Sequence, residues 1–364
     1  MSGPAVSLKR LSEVAQGNLV ELYTIDPLLD SRWDDLVARH SKASAFHQRG
    51  WLEALAHTYG YQPCVLTSTP EGKPLRDGLV LCRVSSWITG ARLVSLPFTD
   101  HCEPLLEDPA DLLAFTNWLR AESDRQRLKY FELRPLTPPN KACNLQPSRS
   151  YCLHRLDMAP GLPRIFHRLH KSSIQRKIRR AERERLSYEV GNSEYLLREF
   201  YRLMLITRKR LGVLPAPKAW FRNLFDSLGD KVQIRLAAKD DVSIAALLTL
   251  RYRGSVIYKY GCSDGKFHSL GAMPFLFWKL IEESKAAGAE EIDFGRTDLN
   301  NESLITFKNR FGTASSVLTY YRYPKTKQRE SVANWESPFF RRLCSILPDD
   351  VGCAAGRVFY KHMG

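Results

Sequence analysis

The sequence lacks the patterns that mark several common protein classes. None of its eight cysteines stands in a CxxC spacing, which argues against a zinc cluster or a thioredoxin-like dithiol and favours reduced, structural thiols. No apolar run reaches the length of about 20 residues that a membrane-spanning helix needs. The first residues, MSGPAVSLKRLSEVAQG, have no apolar run of the length expected for a secretory signal. These absences lead us to expect a soluble, cytoplasmic protein.

What the chain does have is ordinary globular composition with an excess of positive charge. Its 364 residues are 44% hydrophobic and 26% charged, which excludes disordered and fibrous classes, and the length favours two domains. Fifty-four lysines and arginines against thirty-nine acids leave a formal charge of +15. A field of this sign attracts phosphates, nucleic acid or an anionic membrane face. Charge alone identifies no partner.

Short apolar runs predict a first half that mixes strands and helices. Turn residues separate the strands, as is typical of antiparallel neighbours. The predicted strands are 18–25, 63–68, 78–84, 91–96 and 128–134, and the predicted helices are 31–39, 50–57 and 109–124.

The second half predicts an α+β unit with a mixed sheet. Its helices are expected at 194–211, 218–228, 273–287 and 302–310, and its strands at 232–237, 243–252, 255–260, 291–294 and 317–323. This order is not a doubly wound repeat. Residues 325–364 resemble an amphipathic appendage with basic edges.

One segment is unusually basic. Between Arg164 and Arg185 there are nine lysines or arginines and two acids, with apolar residues at helical spacing, which predicts one basic helix. Such a helix is either a solvated linker or a contact for phosphate or tRNA. The residues proposed for that contact are Arg176, Lys177, Arg179 and Arg180.

The segment from Phe294 to Asp298 is the first candidate for chemistry. Gly295 at a strand end permits close approach of a ligand to the backbone. Arg296 beside it can bind a carboxylate or phosphate through two parallel hydrogen bonds. The alternative is that Gly295 turns the chain, Arg296 forms a surface ion pair, and Lys308 further on is a solvated helix residue.

Several segments together resemble the Fem-type (FemAB-like) N-acyltransferases of the GNAT superfamily. The strings are FGRTDLNNESLITFKNRFGT, HKSSIQRKIRRAERERL, YKYGCSDGKFHSLGAMPFLFWKLIEE, FHQRGWLEALAHTYGY and LVSLPFTDHCEPL. The resemblance covers roughly Asn18 to Pro324. It implies two tandem GNAT-like modules with mixed sheets, at 18–160 and 161–324, a basic connecting helix at 164–185 and an appendage at 325–364.

The resemblance also implies an activity. It predicts an N-acyltransferase that moves an acyl or aminoacyl group to an amine acceptor in cell-envelope or exopolysaccharide biosynthesis, without a metal or a tightly bound cofactor. The acceptor is then a cell-wall precursor, a sugar or a small molecule, and the cosubstrate is acyl-CoA or aminoacyl-tRNA. One alternative is an acyl-CoA-dependent N-acetyltransferase of a small molecule or sugar. Another is a non-catalytic basic protein that binds nucleic acid or an anionic membrane.

The family's motifs identify candidate site residues in this sequence. Its Phe-Lys pair corresponds to Phe307 and Lys308, where the lysine would stabilise charge as an amine attacks a carbonyl. Arg296 would hold an acidic group of a substrate, and Asp100 matches a PF-x-D loop beside the acceptor. The predicted catalytic residues are Lys308, Phe307 and Asp298, and the predicted substrate-binding residues are Arg296, Thr297, Asp100, Tyr258 and Tyr260.

One departure from the family bears on the donor. GNAT enzymes that use acyl-CoA hold its pyrophosphate in a Gln/Arg-x-x-Gly-x-Gly/Ala turn at a helix N-terminus. Lys266 to Gly271 stands at that place, and only Gly271 matches. Lys266 and Gly271 are thus weak candidates for phosphate binding or part of a plain solvent loop, and aminoacyl-tRNA gains weight as donor.

The adjacent polar residues Asp100, His101, Cys102 and Glu103 suggest a catalytic or metal-binding site. Adjacent side chains point in different directions, however, so a shared metal ion would need further ligands from elsewhere in the chain. A structural loop is expected for Cys102, and a capping or core role for His47.

Overall fold

The computed structural model describes residues 12–15, 18–324 and 337–364, which form two compact units. The first unit contains the described residues up to 149 together with 319–324 and 361–364. The second contains 150–318 and 337–360. The predicted modules 18–160 and 161–324 have other bounds than these units.

The elements follow one another along the chain in an α+β order. The first stretch comprises β1 (Ser12–Ala15), β2 (Asn18–Glu21), β3 (Tyr23–Ile25), α1 (Arg32–Arg39), α2 (Arg49–Tyr59), β4 (Gln62–Thr67), β5 (Leu79–Val84), β6 (Arg92–Val94), α3 (Leu112–Arg125) and β7 (Tyr130–Leu133). The second comprises β8 (Gln146–Asp157), α4 (Leu162–Arg168), α5 (Arg176–Arg183), β9 (Ser187–Gly191), α6 (Glu194–Leu211), α7 (Lys218–Leu228), β10 (Val232–Lys239), β11 (Val242–Tyr252), β12 (Ser255–Ser263), α8 (Ala272–Ala286), β13 (Glu291–Asp298), α9 (Glu302–Asn309), β14 (Ala314–Tyr323), α10 (Pro338–Ile346) and α11 (Asp349–Met363).

The first unit is built on a mixed sheet. Its strands lie in the order β3-β4-β5-β6-β7, and the end of β14 pairs antiparallel with β7, with Tyr321 opposite Leu133. The pairing of β6 with β7 is parallel and the others are antiparallel. Its core includes Phe115, Leu119 and Phe131, which are fully buried between α3 and the sheet.

The second unit is built on strands in the order β8-β13-β12-β11-β10-β9. Here β12 and β13 are parallel, and every other neighbouring pair is antiparallel. Its core gathers Phe277 of α8 with Phe294 and Phe311, whose rings lie 5.0 to 5.5 Å apart. Aromatic contacts of this kind add to the free energy gained by burying their surface.

The predicted single basic helix is wrong. Helix α4 ends at Arg168, and the backbone N–H of His170 donates to the carbonyl of Arg310 at 2.9 Å. The chain then makes a π-helical turn, Lys171–Gln175, before α5 begins. The His170 imidazole caps the N-terminus of this turn, because its Nδ1 accepts a hydrogen bond from the N–H of Ser173.

Residues 337–364 are more than an appendage. Helix α10 packs on α6 so closely that a Cβ atom at Gly212 would collide with the carbonyl of Arg341. The Tyr360 hydroxyl donates to the carbonyl of Leu214 at 3.3 Å. Within the parts of the chain that are described, no helix combines the length and apolar character required to cross a membrane.

Candidate active site

A gap opens in the sheet of the second unit. Strands β12 and β13 pair only from Ser255 opposite Glu291 to Ile257 opposite Asp293. Both strands continue beyond that point, to Ser263 and Asp298. Parallel strands that stop pairing leave main-chain donors and acceptors for a ligand. The predicted segment Phe294 to Asp298 forms one side of this gap.

A bulge shapes that side of the gap. The register of β13 with β8 shifts between Asp293 and Arg296. Gly295 sits inside the shift with φ of 71°, a conformation that glycine adopts without strain. The carboxylate of Asp293, itself buried, accepts a hydrogen bond from the N–H of Gly295 at 2.6 Å. The bulge turns two consecutive carbonyl groups towards α9.

Lys308 of α9 meets those carbonyls. Its Nζ donates to the carbonyl of Gly295 at 2.8 Å and to that of Arg296 at 3.2 Å. The side chain is only 2% exposed, so the alternative of a solvated helix lysine is wrong. A buried cation held by main-chain dipoles is costly to desolvate and is therefore typical of a functional position.

Two polar residues of β8 lie beside Lys308, and sequence reasoning missed both. Burial, with the Lys308 ammonium as the second cause, lowers the pKa of His154 to about 4. Burial raises the pKa of the Cys152 thiol, and Lys308 acts in the opposite direction. The Cys152 sulfur lies 3.5 Å from Nε2 of His154. His154 is thus a neutral imidazole near neutral pH. The signal in the sequence for strand β8 was the alternation of polar and apolar residues in YCLHRL.

Arg296 and Thr297 adjoin the same site. The Arg296 guanidinium stacks over the ring of Tyr151 at 4.1 Å, as expected for a cation–π contact. Thr297 lies opposite Cys152 across β8 and β13 and is 3% exposed. Among the residues that the structure describes, its hydroxyl has no hydrogen-bond partner. A buried hydroxyl without a partner is a group that a substrate or water would satisfy.

Phe307 and Asp298 do not take the catalytic places that the motif predicts. The Phe307 ring lies 5.9 Å from that of Phe277 and 5.2 Å from that of Phe311, so it anchors α9 in the aromatic core. Asp298 is exposed at the end of β13. The Lys308 ammonium donates to the carbonyls of Gly295 and Arg296.

Tyr258 and Tyr260 do not share one face of β12. The Tyr258 ring packs against Phe277 of α8 at 4.8 Å. The Tyr260 hydroxyl accepts a hydrogen bond from Nε1 of Trp220 in α7 at 3.0 Å. The register of β12 with β11 slips by one residue between the two tyrosines, and a bulge of this kind reverses the side of the sheet on which the next residue lies. Tyr258 and Tyr260, which were predicted together as substrate-binding residues, therefore lie on opposite sides of the sheet.

Asp100 belongs to a tightly held loop in the first unit. It is 9% exposed, and its carbonyl accepts a hydrogen bond from the hydroxyl of Tyr320 at 2.6 Å. Nearby, burial raises the pKa of the Cys102 thiol and lowers that of His47 to about 4. The His47 ring accepts from the N–H of Ser44 at 3.0 Å and contacts the carbonyl of Glu103 at 2.9 Å. These contacts indicate a structural role for His47 and Cys102.

The turn that would cradle a pyrophosphate is covered. Gly271 has φ of 81° and is buried, and a Cβ atom there would lie 2.5 Å from the carbonyl oxygen of Lys177 in α5. The glycine therefore serves the close packing of α5, whereas Lys266 is exposed on a 3-10 turn. The predicted phosphate contact at Gly271 is not supported by this geometry.

The predicted cations of α5 lie on its outer face, while Ile178 and Ala181 are buried beneath them. Two of the four make contacts within the unit: Arg180 pairs with Glu184 at 3.7 Å, and Arg179 lies over the ring of Phe166 at 5.8 Å. All four are exposed, namely Arg176, Lys177, Arg179 and Arg180. Over the described ranges, no three potential ligand side chains are grouped to hold a metal ion.

Comparison with known proteins identifies this fold. Residues 168–309, from the end of α4 to the end of α9, match the family model described as an acetyltransferase (GNAT) domain. The crystal structure of FemX superposes with a TM-score of 0.66 at 13% identity, covering 80% of this chain and 95% of that chain. The second unit therefore contains a GNAT domain, and the chain shares its fold with FemX. Lys308 thus lies in the last helix of its GNAT domain.

Two further solved structures resemble this chain in fold at similarly low sequence identity. L-PGS from Bacillus licheniformis has 12% identity and a TM-score of 0.53, over 86% of this chain and 96% of that chain. A conserved protein of unknown function from Bacteroides thetaiotaomicron has 13% identity and a TM-score of 0.54, over 80% of this chain and 96% of that chain. No curated protein matches the sequence significantly.

Proposed function

We propose that this protein is an N-acyltransferase that transfers an acyl or aminoacyl group to an amine, with Lys308 at its centre. The observation that carries this proposal is the buried Lys308 ammonium, held at the Gly295 bulge beside the gap between β12 and β13. A GNAT domain surrounds this site, which supports acyl transfer as the reaction class.

The chemistry follows from the charge that develops. As the amine nitrogen adds to the carbonyl carbon of an ester or thioester, the carbonyl oxygen becomes negative, and collapse of this intermediate expels the alcohol or thiol. A fixed cation in a site of low dielectric stabilises the negative oxygen more strongly than water does. Gly295 and Arg296 hold the Lys308 ammonium in place, so that little reorganisation is needed during the reaction.

The covered turn favours a donor that is not held by the usual pyrophosphate cradle. Helix α5 packs on Gly271, and Gly271 is the one residue of this turn that matches the pyrophosphate cradle of acyl-CoA enzymes. Aminoacyl-tRNA is therefore the donor that we propose, with the exposed cations of α5 as its electrostatic contact. The family description as an acetyltransferase domain supports acyl-CoA as the second candidate.

The setting that we propose is cell-envelope or exopolysaccharide biosynthesis, with a cell-wall precursor or an amino sugar as acceptor. The sequence resemblance to Fem-type enzymes supports this setting. FemX and L-PGS, at 13% and 12% identity, support the fold and do not identify the acceptor.

A label-transfer assay with two donors tests the function. Wild-type protein is incubated with an amine panel and either labelled acetyl-CoA or labelled aminoacyl-tRNA, and amide formation is measured by mass spectrometry. We expect transfer from the tRNA donor that is lost in Lys308→Met and kept in Lys279→Met, a lysine paired with Glu282 on α8. Salt-sensitive RNA binding without any transfer would instead show a non-catalytic binding protein.

A further inference from the structure

A separate cavity, shallow and open to solvent, lies where α4 turns into α5, against the end of α9, and the residues that line it are exposed. Its volume is about 270 Å³, and it is lined by Arg168, His170, Thr306, Asn309 and Arg310. Small-molecule pockets for drug-sized ligands span about 300–1,000 Å³. A cavity at or below that range suits a single headgroup and not a whole cofactor.

The charge in this cavity is uncompensated. Over residues 12–15, 18–324 and 337–364, neither Arg168 nor Arg310 has an acidic partner. A larger cavity, of about 390 Å³, carries its own carboxylate, Asp230, and its Arg253 stacks on the ring of Tyr252. Because the cavity at Arg168 has two guanidinium groups and no carboxylate, it favours the binding of an anion.

The fold brings the two arginines together. The N–H of His170 donates to the carbonyl of Arg310 at 2.9 Å, which fastens the α4–α5 corner to the end of α9. Gly312, with φ of 75°, allows this approach, because a Cβ atom there would lie 3.3 Å from Cβ of Arg168. Nδ1 of His170 accepts from the N–H of Ser173 at 3.3 Å, so Nε2 is the ring nitrogen that can donate to a ligand.

We propose that this cavity binds a phosphate group of a small substrate. One guanidinium satisfies both oxygens of a carboxylate, whereas a phosphate offers enough oxygens and charge for two guanidiniums. The assignment rests on the proposed function, because Thr306 and Asn309 stand on α9 on either side of Lys308. A phosphate held here positions its substrate near the buried ammonium.

Titration calorimetry at low salt tests the site, with inorganic phosphate, pyrophosphate and acetate as probes. We expect phosphate and pyrophosphate to bind the wild-type protein more tightly than acetate. The affinity should fall about tenfold or more in Arg168→Ala and in Arg310→Ala. In Arg310→Lys it should be partly retained. Arg198→Ala serves as the control, since Arg198 is an exposed arginine of α6 that pairs with Glu199 at 3.6 Å.

Two results would overturn the site. Equal losses in Arg198→Ala and the cavity variants would show attraction by net charge only. Acetate binding as tight as phosphate binding would show a carboxylate site. Competition then identifies the source of the phosphate: displacement by coenzyme A assigns it to a donor, and displacement by glucosamine 6-phosphate assigns it to an acceptor. If neither displaces phosphate, the substrate assignment fails.

The failure of this site and of the proposed function are distinguishable. Lys308→Met should keep phosphate binding, because Lys308 does not line the cavity. Arginine-dependent phosphate binding without acyl transfer would refute the function and leave the site. Acyl transfer with an unchanged KM in Arg168→Ala would refute the site and leave the function.

Discussion

Replacing Lys308 by methionine separates its charge from its bulk. The substitution keeps an unbranched stem of similar length and removes the ammonium that bonds to Gly295 at 2.8 Å and Arg296 at 3.2 Å. Two hydrogen bonds to a charged group contribute about 1.5–3 kcal/mol each to stability. Their loss is offset by the several kcal/mol of desolvation that a buried ion carries. We therefore expect a folded variant whose free energy of unfolding changes by no more than about 3 kcal/mol.

Turnover should respond far more strongly than stability. Removal of one group that stabilises an oxyanion lowers kcat by about 10²- to 10³-fold. Since the ammonium acts on charge that is present only in the transition state, KM should change little. Lys308→Arg should recover part of the rate, because it restores the charge with a different shape.

The assay is steady-state kinetics of amide formation, with urea denaturation of each variant as the measure of folding. Lys279→Met provides the matched control, since it removes a lysine that forms an ion pair at the surface of α8. A folded Lys308→Met protein that turns over within a few-fold of the wild-type rate would refute the catalytic assignment.

Three further predictions concern pH, substrate binding and packing. The pKa of His47 is about 4 in the fold and about 6.5 when unfolded, so the unfolded chain binds the extra proton between these values. The contribution of His47 to stability is therefore full above about pH 6.5 and falls by about 3 kcal/mol as the pH drops to about 4; urea midpoints against pH should show a shallower fall in His47→Gln, and an equal fall would contradict this. Arg296→Ala should raise KM with a smaller effect on kcat, and steady-state kinetics with an unchanged KM would count against a binding role. Gly271→Ala should destabilise the protein by about 2–4 kcal/mol, because of the positive φ and the collision with the Lys177 carbonyl. Gly60 is the control, since it has a φ of 69° and open space around it. In thermal melts, Gly60→Ala should show only the smaller effect of the backbone conformation.

Local patterns predicted much of the fold, because apolar spacing depends on neighbours along the chain. Helices α6, α7 and α8 begin and end within a residue or so of the predicted positions. Strand β8 was missed although its polar and apolar residues alternate, because it follows directly on a proline-rich turn. The basic segment was expected to be one helix, and it is broken by a contact with Arg310, a residue distant in sequence.

The motif proposed the residues of the candidate site but did not explain their arrangement. Lys308 and Arg296 were proposed from the sequence, whereas the hydrogen bond between them depends on the bulge at Gly295 and on the pairing of β13 with β8. His154 and Cys152 join the site through that same pairing, which no local pattern reveals.

The sequence by itself determined the α+β order, the excess of positive charge and the segment that holds Lys308, since each depends on residues close together in the chain. Tertiary structure decided that Lys308 is buried, that α5 covers Gly271 and that Tyr258 and Tyr260 lie on opposite faces. The physical reason is that strand register and helix packing join segments far apart in sequence. A slip of one residue in such a pairing reverses the side of the sheet on which a side chain lies.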